Sequence, residues 1–420
     1  MREGRVKLLK RRLTNLIRAG RLTVHGLGPQ AKVFGQSVSG FPDIVVRIAD
    51  RPTAWKIGLR PDLYFGEAYM DGSLVIEKGS LWDLLELCGR NLAASTWRRP
   101  PGRFRRAARS LLRTFQQLNS RRVARRNVAH HYDLSDALFH HFLDADRQYS
   151  CAYFRNPEAS LEEAQIAKTT HIAAKLMLRP GMRVLDIGCG WGGLALTLAK
   201  LADVHVTGIT LSQQQAAVAR RRAEEAGLAG RVTFELQDYR DVGGRFDRIV
   251  SVGMFEHVGV PNYPVFFEKI GCLLTDDGVA LLHSIGRKDG PGVTGAWIRK
   301  YIFPGAYVPA LSETLKTVEP TGLWVTDIEV LRLHYAETLR QWRERFMERA
   351  SLIRETYDDR FCRMWEFYLA TSEIGFRYDN LMVFQMQLAK RVDVVPPTRD
   401  YMFTAEQAIS AKACQAAAAR

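Results

Sequence analysis

Long apolar runs are missing from this chain: no stretch approaches the 18 or more residues of a membrane-spanning helix. Cysteine is sparse. There are six in 420 residues, and Cys88, Cys151, Cys189, Cys272, Cys362 and Cys414 show no CxxC or other metal-like spacing, so no metal site is predicted. The opening Met-Arg-Glu-Gly-Arg-Val-Lys has no apolar segment behind it and does not read as a secretory leader. Together with the scattered thiols, that predicts a reduced, cytoplasmic setting. No internal repeat is present. Acidic residues run short in one region only: residues 1–130 hold 26 Lys and Arg against 9 Asp and Glu, and the rest hold 34 against 36. The whole net charge of +15 therefore lies upstream. Such asymmetry points to a polyanionic partner, either nucleic acid or an anionic membrane surface.

What is present suggests two or three domains. Val6, Leu9, Leu13, Leu16 and Ile17 recur near helical spacing among basic residues. They predict an amphipathic helix whose apolar face meets either a membrane surface or its own domain. Residues 22–86 read as a small mixed domain, with alternation at Ile44 to Ile48 and an apolar helix over Leu81 to Leu87. An Arg-rich connector runs from Trp97 to Arg126, and it serves either as a solvated linker or as a polyanion contact. Beyond 160, strands are predicted at 182–187, 204–209, 231–236, 247–252 and 278–283 with helices between them, a doubly wound parallel sheet. A helical stretch is expected over 335–388, and the Ala-rich end, 411–420, reads as a frayed tail.

The densest signal is Val184-Leu185-Asp186-Ile187-Gly188-Cys189-Gly190-Trp191-Gly192-Gly193. An apolar strand ends in Asp186, and glycines then crowd the turn into the apolar helix from Leu194. Glycine lets backbone approach a ligand closely, and the helix N-terminus sits at the carboxyl end of a strand, where open α/β sheets bind nucleotides. The spacing Asp-x-Gly-x-Gly-x-Gly resembles motif I of class I S-adenosylmethionine-dependent methyltransferases. It differs from the dinucleotide fingerprint, whose acidic residue follows about 20 residues later.

The other strand ends carry further candidates. The second runs into Gly208-Ile209-Thr210-Leu211-Ser212 without the acidic residue that usually meets the ribose, so Thr210 and neighbouring backbone must serve there. The third leads to Asp238 and Tyr239, suited to accept from the adenine amino group and to stack on its ring. The fourth leads to Phe255-Glu256-His257, which places a carboxylate and an imidazole near the sulfonium; the Pro-Pro-aromatic motif of many nucleobase-amine methyltransferases is absent. The fifth ends at His283, which is either structural or functional.

Read together, several segments resemble the cyclopropane-fatty-acyl-phospholipid synthases and the related cyclopropane mycolic acid synthases. They are His131-Tyr132-Asp133-Leu134-Ser135, Tyr149-Ser150-Cys151-Ala152-Tyr153-Phe154, Glu163-Ala164-Gln165, the glycine motif through Trp191, Gly208 to Ser212, Phe255 to Gly259, His283-Ser284-Ile285-Gly286 and His334 to Leu339. Gly66 to Gly72 resembles the N-terminal domain of the longer, phospholipid-acting members. The resemblance implies a seven-stranded, mostly parallel class I methyltransferase sheet with a smaller basic N-terminal α+β domain. Its implied boundaries are a lipid-binding domain over 1–108, an Arg-rich linker over 109–128, a catalytic domain over 129–395 and a tail over 396–420.

The implied reaction adds a methylene group from S-adenosylmethionine to the cis double bond of an unsaturated phospholipid acyl chain, through a carbocation deprotonated by bound bicarbonate. The resemblance carries the bicarbonate ligands to Cys151, Glu256, His283, the Ile285 backbone and Tyr335. It carries cofactor contacts to Tyr149, Ser150, Gly188, Gly190, Thr210, Leu211, Gln215, Asp238 and Tyr239, beside Asp186 of motif I. Many members hold a cysteine in the late helix where this chain has Ser372, so no thiol is required there. The implied setting is cytoplasmic, peripheral to the inner membrane, as a homodimer on anionic lipid. Three rivals remain: a sibling reaction that makes a methylene or methyl branch, a nucleic-acid methyltransferase, and a non-catalytic lipid-binding relative, against which the intact glycine loop and bicarbonate positions stand. Against the second stands the lack of any RNA-binding module, so no nucleic-acid partner is predicted.

Overall fold

The computed structural model describes residues 4–94 and 136–418. The Arg-rich connector and the segment His131 to Ser135 lie outside the described residues. The chain divides into two compact units. One gathers the described part of 1–106 with 294–304 and 336–380; the other gathers the described part of 107–293 with 305–335 and 381–420.

The first unit carries a four-stranded sheet built from β1 (Gly20–His25), β2 (Lys32–Gln36), β3 (Asp43–Ile48) and β4 (Leu74–Lys78), in the order β2-β1-β3-β4. β1 and β3 run parallel, and the outer pairings are antiparallel. The helices α1 (Gly4–Leu16), α2 (Arg51–Leu59), α3 (Pro61–Met70) and α4 (Leu81–Ala94) surround it. Of the two readings of the basic amphipathic helix, packing on its own domain is the one observed for its apolar face: Val6 and Leu9 are buried in the same cluster as Leu22, Val24, Ile44 and Val46. Gly58 of α2 lets α1 come close, since a Cβ there would lie 3.0 Å from the Leu9 backbone nitrogen. The helices Ala296–Tyr301 and Asp359–Tyr378 also belong to this unit. Trp297 packs edge-on to Phe367 at 4.6 Å, and Tyr69 of α3 donates to Glu366 at 2.7 Å. Sequence reading had put both segments with the methyltransferase-like sheet; their apolar faces are instead buried here.

The second unit holds a seven-stranded sheet of β5 (Arg183–Ile187), β6 (His205–Thr210), β7 (Val232–Leu236), β8 (Phe246–Val252), β9 (Leu274–Arg287), β10 (Trp324–Val330) and β11 (Leu381–Ala389). Their order is β10-β11-β9-β8-β5-β6-β7. Neighbours from β7 through β9 are parallel, and β11 lies antiparallel between β9 and β10. The helices α5 (Leu161–Leu176), α6 (Gly193–Ala202), α7 (Gln213–Glu225) and α8 (Tyr263–Leu273) cross the faces. Strand order reverses at β5, which opens a crevice between the carboxyl ends of β5 and β8.

Two expectations are corrected. The helical pattern over 335–388 stops at Tyr378, and 381–389 is strand β11. Gln385 and Gln387 alternate with its apolar residues, two apart on one face of the strand, and both are fully buried. Gln387 Nε2 donates to the Lys175 carbonyl at 2.7 Å and to the Tyr401 hydroxyl at 2.8 Å. The tail expected over 396–420 contains a helix, α9 (Asp400–Ala418), that packs on α5. Met402 is buried, and Glu406 pairs with His171 of α5 and with Arg155 at 2.5 Å.

Candidate functional site

A cleft opens at the carboxyl ends of β5, β6 and β8, and all ten cofactor positions expected from sequence line it: Tyr149, Ser150, Asp186, Gly188, Gly190, Thr210, Leu211, Gln215, Asp238 and Tyr239. Gly188 turns the chain out of β5 at φ 85°, and a Cβ there would strike Met254 Cβ at 2.7 Å. Gly192 caps α6 at φ 84°, where a Cβ would sit 2.6 Å from the Phe234 ring. The loop therefore tolerates only bare backbone, and the N-terminus of α6 faces the opening.

Asp186 is buried, and its Oδ2 has no hydrogen-bond partner among the described residues. Burial pushes its carboxyl up to about 7, partly offset by the ammonium of Lys168. Where the usual acidic residue is missing, the Thr210 hydroxyl donates to Gln215 Oε1 at 3.0 Å and accepts from the Ser212 amide at 3.2 Å. Thr210 and Gln215 thus supply the polar atoms at the end of β6. Asp238 is held by Arg240, whose Nε and Nη2 donate to its two oxygens at 2.8 and 2.6 Å. Arg240, which sequence reading left without a role, fixes that carboxylate, and Tyr239 packs edge-on to Phe266 at 5.3 Å.

The other wall is the segment Arg147 to Ser150. Tyr149 is wedged against Phe139 at 5.2 Å, which in turn meets Trp191 of the glycine loop at 5.0 Å. One face of α5 grips the segment. Gln165 Nε2 donates to the carbonyls of Gln148 at 3.2 Å and Ser150 at 3.1 Å. Lys168 Nζ donates to Gln148 Oε1 at 2.5 Å and to Ser150 Oγ at 2.9 Å. A Ser160–Glu163 capping box starts this helix. The sequence marked Gln165 only as part of a resembling segment and did not mark Lys168 at all.

The five remaining positions do not line this cleft. Glu256 leaves the end of β8 in a short 3-10 turn, Phe255–His257, and its Oε1 accepts from the Ile285 amide at 2.6 Å. Glu256 Oε2 is buried with no partner among the described residues. Burial pushes the carboxyl up to about 7, against the opposing effect of backbone N–H groups, its own and that of Ile285, and of the Ser284 hydroxyl. His283 stands two residues before Ile285 on the same face of β9, its Nδ1 3.1 Å from Gln385 Nε2. Burial drops it to about 3 and the neighbouring His257 to about 4, so both are neutral near pH 7. His257 lines the cleft while Glu256 turns away from it. Cys151 and Tyr335 are both buried. Their segments are joined where the Phe154 amide donates to His334 Nδ1 at 2.9 Å and Tyr153 stacks on His334 at 4.9 Å.

The arrangement thus pairs an open cleft at the switch point with a buried, easily protonated carboxyl and a buried neutral imidazole that do not line it. Residues 119–386 match the mycolic acid cyclopropane synthetase family. The cyclopropane-fatty-acyl-phospholipid synthase of Escherichia coli K12 is 37% identical over 359 residues, covering 86% of this chain and 91% of that protein. The tuberculostearic acid methyltransferase of Mycobacterium tuberculosis is 39% identical over 362 residues, 80% of this chain and 81% of that protein. A cyclopropane synthase structure from Mycobacterium tuberculosis superposes with TM-score 0.61 at 35% identity, over 65% of this chain and 99% of that one. A mycolic acid cyclopropane synthase complexed with SAH and CTAB gives 0.60 at 34% identity, over 63% and 97%. The chain belongs to the mycolic acid cyclopropane synthetase family, S-adenosylmethionine-dependent methyltransferases that include the cyclopropane-fatty-acyl-phospholipid synthases.

Proposed function

We propose that this enzyme transfers a methylene group from S-adenosylmethionine to the cis double bond of unsaturated phospholipid acyl chains and closes a cyclopropane ring. The observation that carries the reading is Glu256: a buried carboxyl, one oxygen on the Ile285 amide and the other unpartnered, directly behind cleft-lining His257. S-adenosylmethionine supplies an electrophilic methyl, and an alkene is a weak nucleophile that needs close, dry contact with it. The methyl's addition leaves a cation on the acyl chain, and loss of one methyl proton then closes the ring. The acceptor must be a held, weak base, because a stronger nucleophile would trap the cation.

The residues suit a small oxyanion such as bicarbonate in that role. Protonated Glu256 Oε2 can donate, the Ile285 amide fixes that carboxyl by donating to its Oε1, and neutral His283 adds one ring nitrogen. Cys151 and Tyr335 complete the proposed set. In the cleft, Tyr149, Ser150, the glycine turn, Thr210, Gln215, Asp238 and Tyr239 hold the cofactor.

The enzyme works from the membrane surface, as a homodimer at the inner face of the cytoplasmic membrane. No helix among the described residues is long and apolar enough to cross a membrane, and the basic excess of residues 1–130 supports electrostatic docking worth roughly 1 kcal/mol per basic residue near the surface. Binding to anionic vesicles should fall steeply with added salt; indifference to salt and to lipid charge would contradict this part.

The decisive assay incubates the protein with S-adenosylmethionine and vesicles of cis-monounsaturated phospholipid, then reads the acyl chains by mass spectrometry and proton NMR. A gain of one CH2 with upfield cyclopropane protons is expected. The same mass with vinylidene protons would move the enzyme to the branching reaction, which the similarity to a tuberculostearic acid methyltransferase keeps in view. No gain, with the cofactor bound, would remove the lipid reading.

A further inference from the structure

Lys168 has no place in the reaction described so far, yet it is fully buried behind the cofactor cleft. We propose that it is a positioning residue, which turns the Ser150 hydroxyl into a committed donor toward the carboxylate at the amino-acid end of the cofactor. The inference rests on reading the cleft as the S-adenosylmethionine site.

An ammonium has three donors and no acceptor. Two of the Lys168 donors go to Gln148 Oε1 at 2.5 Å and Ser150 Oγ at 2.9 Å. Ser150 Oγ must therefore accept at that bond, and its own proton is left to point elsewhere. Ser150 lines the cleft beside the glycine turn. A positive charge behind the oxygen also polarises the hydroxyl and strengthens it as a donor to an anion. Gln148 is itself held in place: its Oε1 accepts from Lys168 and its Nε2 donates to Asp146 Oδ2 at 2.7 Å.

The same helix face separates two tasks. Gln165, one turn before Lys168, holds the backbone through the carbonyls of Gln148 and Ser150. Lys168 touches only side-chain atoms of that segment. Removing Lys168 thus frees the hydroxyl and takes away the charge while the Gln165 bonds keep the chain path. The alternative is a purely structural role, in which Lys168 neutralises the buried carboxylates of Asp144 and Asp186.

Calorimetric titration of the full chain with two probes separates these. S-adenosylhomocysteine has the amino-acid end, and 5′-methylthioadenosine lacks it. Lys168→Met and Ser150→Ala should each weaken S-adenosylhomocysteine about tenfold and leave methylthioadenosine within about twofold. The double variant should be no worse than either single one, since one residue acts through the other. Lys168→Gln, which keeps a neutral donor, should recover part of the loss, and it carries the test if Lys168→Met does not fold. Unchanged S-adenosylhomocysteine affinity, equal loss of both probes, or additive losses in the double variant would overturn the proposal. Failure of the unaltered protein to bind either probe would instead overturn the cofactor reading, and this proposal with it.

Discussion

The cleft at the ends of β5, β6 and β8 mixes bare backbone with side chains; the site around Glu256 is built from side chains and one amide. In the cleft, Gly188 and Gly190 present main chain, Thr210 with Gln215 and Asp238 with Arg240 are already paired, and Asp186 keeps one oxygen without a partner among the described residues. Around Glu256 there is a buried carboxyl oxygen without a partner among the described residues, the Ile285 amide and the neutral imidazole of His283, with neutral His257 between this group and the cleft. The difference teaches where binding and chemistry divide. On the proposed reading, a charged cofactor would be met by glycine backbone and prepaired polar groups at a switch point, and a proton would be handled by a group whose affinity for it burial has shifted.

The largest test of that division is Glu256→Gln. Turnover should drop by more than about a hundredfold, the range of a lost acid–base partner, while S-adenosylhomocysteine affinity stays nearly unchanged in calorimetry. Equal loss of both would make Glu256 structural and merge the two regions.

A second test uses pH. Folding raises the Glu256 carboxyl from the ordinary 4.5 to about 7, so the fold favours its protonated form. That contribution to stability is whole below about pH 4.5 and is lost as pH climbs through about 7. His257 and His283, lowered by burial, act in the opposite sense below about 6.5. The difference between Glu256→Gln and the unaltered protein isolates the carboxyl. Its melting temperature relative to the unaltered protein should rise between about pH 5 and about pH 8; a flat difference would contradict a buried, readily protonated carboxyl. The smallest expected effect is Tyr335→Phe, which removes one hydrogen bond of roughly 0.5–1.5 kcal/mol and should slow turnover about two- to tenfold with the cofactor still bound. No change would remove Tyr335 from the pocket.

The two regions also differ in how far the sequence discloses them. Local pattern sufficed for the cleft: Asp186 and its glycines are contiguous, and the parallel strands fall within a few residues of their predicted positions because apolar runs bounded by turns report buried strands. The proposed base-holding set, Cys151, Glu256, His283, Ile285 and Tyr335, is spread over nearly half the chain, and only resemblance grouped it. Pattern missed β11, which follows the helix Asp359–Tyr378 after only two residues, with no glycine or proline turn signal to separate the two apolar segments. It was silent at Lys168 and Arg240, because a basic residue on a helix or turn reads as solvent-facing until packing shows what it meets. The start of the expected tail, ahead of the Ala-rich 411–420, is anchored by Glu406 on His171 and Arg155, a contact across more than two hundred residues that no local pattern reports.

The claim that the dry pocket acts by holding an oxyanion base is tested most directly by bicarbonate itself. Turnover on unsaturated phospholipid vesicles would be measured in carbon-dioxide-stripped buffer, then with bicarbonate restored at constant pH and ionic strength. The account predicts at least about a tenfold fall on stripping, full recovery on addition, and no response in Glu256→Gln. Equal turnover with and without bicarbonate would contradict it and leave the proton to a side chain.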